Sequence, residues 1–150
     1  MLDTTDLRGR APTRCPQWSR DLRPGVIIAF RFPVDLGGDV ARPCLVLDAV
    51  SYAGQRFATL APGFPLLSGR RRRPFDLEIP ASDAFPRGVT EPTVFLGAKR
   101  LIVSARNSRF VCTLNPDTPV MGWLAPDAMT QLQSLLCRIL DEVRCEQERA

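Results

Sequence analysis

Arginine is the side chain whose number and placement in this sequence suggest chemistry. Of 20 basic residues all but Lys99 are arginine, and histidine is absent. Without imidazole there is no Ser-His-Asp triad, no Cys-His pair and no two-histidine ribonuclease mechanism, and most catalytic zinc sites go with them. Arginine offers a charge that persists at any working pH, on a planar fork of donors that matches phosphate oxygens. Two placements stand out. Arg42 precedes Pro43 at the head of an apolar run, where it projects from a loop-strand junction, and residues 70–73 are an unbroken Arg-Arg-Arg-Arg before Pro74. Both suit an anionic partner such as nucleic acid. Each also has a structural explanation, since surface arginines and solvated charge runs are common and a GC-rich coding sequence favours arginine without any ligand.

The cysteines, at 15, 44, 112, 137 and 145, are odd in number and lack metal-ligand spacing. They argue against a disulfide framework or a structural zinc and for a reduced, cytoplasmic protein. No charged-then-apolar leader opens the chain, and the apolar run at residues 26–30 is too short to cross a bilayer. No metal, cofactor or membrane is expected.

The elements that must hold these arginines are legible in outline. A chain of 150 residues with 45% hydrophobic and 24% charged residues can bury one sizeable core, and its formal charge is +4. Residues 1–23 carry five arginines and no apolar period and are expected to be an irregular basic arm. Residues 24–150 then form the domain. The run VIIAFRF (26–32) ends at Pro33 and reads as a strand, followed by a loop at 35–39. Residues 44–47 read as a buried strand, Ala53-Gly54 as a turn, and residues 55–60 as a third strand. Beyond the arginine run, Phe75, Leu77 and Ile79 alternate with Asp76 and Glu78, the pattern of a strand with one buried face. Residues 93–96 and 101–103 read as one strand interrupted near Gly97. Met129, Leu132, Leu135, Leu136, Ile139, Leu140 and Val143 recur at steps of three and four, which predicts a helix over about 126–147.

In order, the motifs are Pro24-Gly25, RPCLVLD (42–48), RFATLAPG (56–63), RRPFDLEIP (72–80), PTVFLGAKR (92–100), NSRF (107–110) and MGWLAPDAM (121–129). This order resembles the PemK/MazF family of toxin endoribonucleases over about four-fifths of the chain. In that family the strand after the first loop begins Arg-Pro and the last helix opens on a Gly-x-Leu-Ser-Pro-Glu type start. The resemblance implies a mainly β fold, an SH3-like β-barrel of the CcdB/PemK/MazF type with a C-terminal α-helix, assembled as a homodimer. It implies the toxin of a type II toxin-antitoxin system, a growth inhibitor that cuts single-stranded RNA without metal and is neutralised by a cognate acidic antitoxin. In that chemistry the ribose 2′-hydroxyl attacks the neighbouring phosphorus and the 5′-oxygen leaves, so the protein must align the reaction and neutralise charge growing on phosphoryl oxygens. Carried over by position, Arg42 matches the catalytic arginine and Thr59 a threonine in the third strand, where a β-favouring structural residue serves equally well. Arg70, Arg71, Arg72, Arg73, Lys99 and Arg100 form the expected RNA-contacting set, and Phe75 is expected to belong to the core.

The sequence departs from the family in three places. Some members carry an aspartate general base in the strand corresponding to residues 92–100, where Ala98 stands here. The opening Gly-Asp is Gly25-Val26, and the helix-capping serine is Ala125. Two other functions share the fold: an inactive or repurposed nucleic-acid-binding module, and a protein-inhibiting CcdB-like toxin, for which residues 146–150 offer no aromatic anchor.

Overall fold

The structure, a computed structural model, describes residues 16–33, 40–80, 91–112 and 116–149. Among the described residues seven strands and one long helix follow one another: β1 (Val26–Phe30), β2 (Arg42–Tyr52), β3 (Gln55–Pro65), β4 (Asp76–Ile79), β5 (Thr93–Leu96), β6 (Leu101–Ser104), β7 (Val120–Trp123) and α1 (Pro126–Arg149). All pairings are antiparallel, in the order β4-β5-β3-β2-β1-β7, with β6 also on β3. The result is mainly β, a curled half-barrel with a C-terminal helix, which is the fold class the sequence leads one to expect.

The sheet buries side chains on both faces, and the period-two alternation of each strand sorts them between two cores. Ile27, Leu45, Leu47, Leu77 and Phe95 pack with Leu132, Leu135 and Ile139 of α1. Val26, Ile28, Phe30, Cys44, Val46, Leu60 and Val103 form the second core on the opposite face. Strand β1 contributes to both, which explains an apolar run without polar alternation.

Burial also explains why β2 and β3 outrun the sequence reading. Residues 44–47 are the stretch of β2 buried throughout, whereas its outer half is largely exposed and held by the ladder to β3. The two strands meet at Ala53-Gly54, both at positive φ (52° and 78°), as a two-residue hairpin turn requires. Proline suggests an end to β3 near residue 60, yet Pro62 stays in register opposite Cys44.

Three boundaries differ from expectation. Phe75 belongs to a turn at φ 66°, so β4 begins at Asp76, which is buried rather than solvent-facing. The short strand β7, unmarked by any apolar pattern, pairs with β1. The arm ends earlier than residue 23: Gln17–Asp21 is a 3-10 turn, Leu22 is fully buried, and Trp18 packs on Phe110 with ring centroids 4.9 Å apart. Two aromatic and apolar side chains among the arginines suffice to cap the second core. Residues 1–15 and the expected loop at 35–39 lie outside the described residues. Strands β5 and β6 both run along β3, at Gly63↔Phe95 and Leu60↔Leu101, with the 3-10 turn Gly97–Lys99 between them. That is the interrupted strand read from Gly97. Among the described residues no helix is long and apolar enough to cross a membrane.

Helix α1 starts at Pro126 with Ala125 before it, and alanine offers no side-chain oxygen to the first free N–H groups. Ala125→Ser should therefore raise the unfolding free energy by about 1 kcal/mol, measured by urea denaturation.

Candidate nucleic-acid interface

Arg42 opens β2 opposite Phe30, beside the end of β3. Its Nη1 donates to the Gly63 carbonyl at 3.4 Å, and its guanidinium carbon lies 4.3 Å from the centroid of the Phe64 ring. The guanidinium thus lies over an aromatic face, a cation-π contact. Its Nε is buried and has no partner among the described residues. The backbone approaches closely here because residue 63 is glycine: a Cβ would lie 2.7 Å from the Pro43 carbonyl oxygen and 2.8 Å from the Phe95 ring. Cys44, next in line on the same face, is no nucleophile. Burial pushes its thiol up to about 12, against smaller lowering by the Arg42 charge and the Gly63 backbone.

Thr59 is elsewhere. Along β3 it stands five residues from Phe64, about 17 Å at the usual strand rise, and alternation turns it to the other face. There it lines a groove of about 560 Å³ between the sheet and α1, with Asp48, Ala98, Arg100, Ile102 and Leu140. Within one chain Arg42 and Thr59 do not share a site; the residue brought to Arg42 is Phe64. A β-bulge near Leu47 shifts the β2 register so that Asp48 pairs with Thr59, and Leu47 and Asp48 both reach the groove. Sequence reasoning missed Asp48, since a bulge leaves no mark in an alternating run.

The residues expected to contact RNA stand on two turns, the arginine run before β4 and Lys99-Arg100 before β6, which touch at one point. The Arg70 guanidinium donates to the buried Asp76 carboxylate at 2.7 Å, and the same oxygen accepts the Arg73 backbone N–H at 2.8 Å. Arg70 is therefore committed to shaping the loop, while Arg71, Arg72 and Arg73 are exposed. Lys99 and Arg100 join them through one close contact. The Gly97 N–H donates to the Phe75 carbonyl at 2.9 Å, and a Cβ on Gly97 would lie 2.6 Å from that oxygen, so only glycine allows the approach. Arg100 caps the turn by donating to the Gly97 carbonyl at 2.8 Å and sits 5.8 Å from the Phe75 ring centroid. Phe75 itself is half-buried against the helix-side core, as its alternation with Leu77 and Ile79 suggests. Helix α1 adds Arg138, which with Arg72, Gln131 and Ser134 lines a second, smaller cleft.

This surface can bind anions through fixed charges, and the Arg42 corner can place donors against a phosphoryl oxygen. Among the described residues no cluster of three or more His, Cys, Asp or Glu side chains could hold a metal ion. Compared with known proteins, the chain matches no family model and no curated relative.

Two outcomes are expected. Asp76→Ala should lower stability by about 2 to 4 kcal/mol in a denaturant titration, because it strands the largely buried Arg70 charge and frees the loop backbone. Native-state alkylation followed by mass spectrometry should label the exposed Cys112, Cys137 and Cys145 and spare Cys44 until the chain unfolds.

Proposed function

We propose that the chain is an RNA-acting toxin of the PemK/MazF type, a metal-independent endoribonuclease on single-stranded RNA that works as a homodimer and is restrained by an acidic antitoxin. The state of Arg42 carries this reading. A half-buried guanidinium placed over the Phe64 ring and tied to the Gly63 carbonyl is a preorganised positive charge for the charge that develops on a phosphoryl oxygen. The 2′-oxygen bonds to phosphorus as its proton passes to water, the phosphorus–5′-oxygen bond breaks, and the 5′-oxygen takes a proton. The products are a 2′,3′-cyclic phosphate and a 5′-hydroxyl. Arg71, Arg72, Arg73, Lys99 and Arg100 support the reading as contacts that track the backbone in both bound and reacting states. An acidic, disordered partner suits the same arginines, since such segments wrap basic surfaces readily.

A second reading, RNA binding without cleavage, is favoured by the separation of Arg42 from Thr59. Incubation with a long single-stranded RNA in EDTA decides between them: discrete fragments with cyclic phosphate ends support the nuclease, and shifted but intact RNA supports the binder.

Arg42→Ala should slow single-turnover cleavage by roughly 100-fold or more, with a modest loss of affinity. Arg71, Arg72 and Arg73 changed together to Gln should do the reverse, weakening binding and flattening its dependence on salt while cleavage at saturation persists. Thr59→Val should leave cleavage near the parental rate. A parental rate for Arg42→Ala in a correctly folded protein would remove the catalytic assignment.

A further inference from the structure

The end of the arginine-rich arm lies before the motifs that resemble a known family, yet it folds onto the sheet. The 3-10 turn Gln17–Asp21 sits beside the β2–β3 hairpin and leaves a pocket of about 350 Å³ there, lined by Ser19, Arg20, Ser51, Gly54, Gln55 and Arg56. That volume is at the low end of small-molecule sites. Both charged residues of the lining are arginines. Arg56 stands opposite Ser51 in the ladder, and by alternation both face the same way as Ala58, toward the second core. Arg56 Nη1 donates to the Ser51 hydroxyl at 3.1 Å, and Nη2 to the Leu22 carbonyl at 2.7 Å. Both partners are neutral. The guanidinium is therefore held in place, half-buried, with no carboxylate paired to its charge among the described residues.

Ser19 is the second, independent sign of a ligand. It is 5% exposed, its hydroxyl has no partner among the described residues, and it lines the pocket. Leaving a buried hydroxyl unpaired is costly, and a ligand in the pocket would pair it. The groups around it are chiefly donors. Ser51 Oγ accepts from Arg56 and keeps its own O–H to give, and Arg56 retains Nη N–H groups beyond the two it has spent. Arg20 is exposed and in no ion pair among the described residues, and Asp21, its neighbour in sequence, does not line the pocket. Two fixed positive charges and two hydroxyls, with no carboxylate in the lining, call for an anion that only accepts and has several oxygens. We propose that this pocket binds a phosphoryl group between Arg20 and Arg56, with Ser19 and Ser51 donating to its oxygens. The site is separate from the nuclease reading. Along β2 Ser51 stands nine residues from Arg42, about 30 Å at the usual strand rise, so one phosphoryl group cannot meet both.

Proton–nitrogen NMR titration of the full chain tests it, with two probes. The first is inorganic phosphate, set against chloride at matched ionic strength; the second is a short single-stranded DNA with hydroxyl ends, which offers backbone phosphates and has no 2′-hydroxyl to react. The amides of Ser19, Arg20, Ser51 and Gln55 should shift and saturate. Arg20→Gln should weaken binding by about 10-fold or more and Ser19→Ala by about 3-fold. Both should keep the parental circular dichroism and stability, since neither side chain has a partner in the protein. Arg149→Gln, which removes an exposed charge on α1, should leave binding at the parental value. Tighter binding of phosphate identifies a small phosphate as the ligand, and tighter binding of the oligonucleotide identifies a nucleic-acid backbone; either supports the site. Pocket amides that move with neither probe overturn it. So does an affinity that stays at the parental value in both Arg20→Gln and Ser19→Ala.

Discussion

Strand β3 accepts three partners, and the rest of the structure depends on how they fit. One edge pairs with β2, while the other must carry β5 and then β6. Two strands share one edge only if the chain leaves the ladder and returns within a few residues, which it does through the 3-10 turn Gly97–Lys99. That turn presses Gly97 against the Phe75 carbonyl so closely that a Cβ does not fit. The pinch continues the half-barrel, and it also joins the end of the arginine run to Lys99 and Arg100. A packing requirement of the sheet thus sets the geometry of the basic surface.

The Arg70–Asp76 pair extends the same logic. Buried charges contribute little net stability when paired and cost much when separated, so such a pair specifies a conformation more than it strengthens one. Asp76 gathers the Arg70 guanidinium and the Arg73 backbone at the first residue of β4. The other arginines of the run are left projecting from a loop whose path is fixed. A charge run that is flexible in isolation becomes a shaped surface, and binding would then cost less ordering entropy.

The two faces of the sheet divide the chemistry. The Arg42 corner sits at the rim of the second core, where a guanidinium lies over an aromatic ring and the neighbouring thiol is kept protonated by burial. The groove with Asp48 and Thr59 lies under the helix and is mostly apolar. A carboxylate, a hydroxyl and a guanidinium in one groove resemble a catalytic set, but Asp48 is exposed and accepts the neighbouring Ala49 N–H at 2.9 Å.

The order and period of the apolar runs and the placing of glycine determined the mainly β class, the terminal helix, the Ala53-Gly54 turn and the break at Gly97. These are local matters, set by periodicity and by residues with special backbone needs. The arginines could be singled out by type, and Phe75 could be placed in the core from its alternation. What sequence could not decide was partnership. That Arg70 spends its charge on Asp76, that Arg42 meets Phe64 and not Thr59, and that Asp48 shares a groove with Thr59 all follow from strand register and from one bulge. Register is a long-range property: a shift by one residue turns every side chain to the other face, and only the packing of two cores against both faces of the sheet chooses among the alternatives.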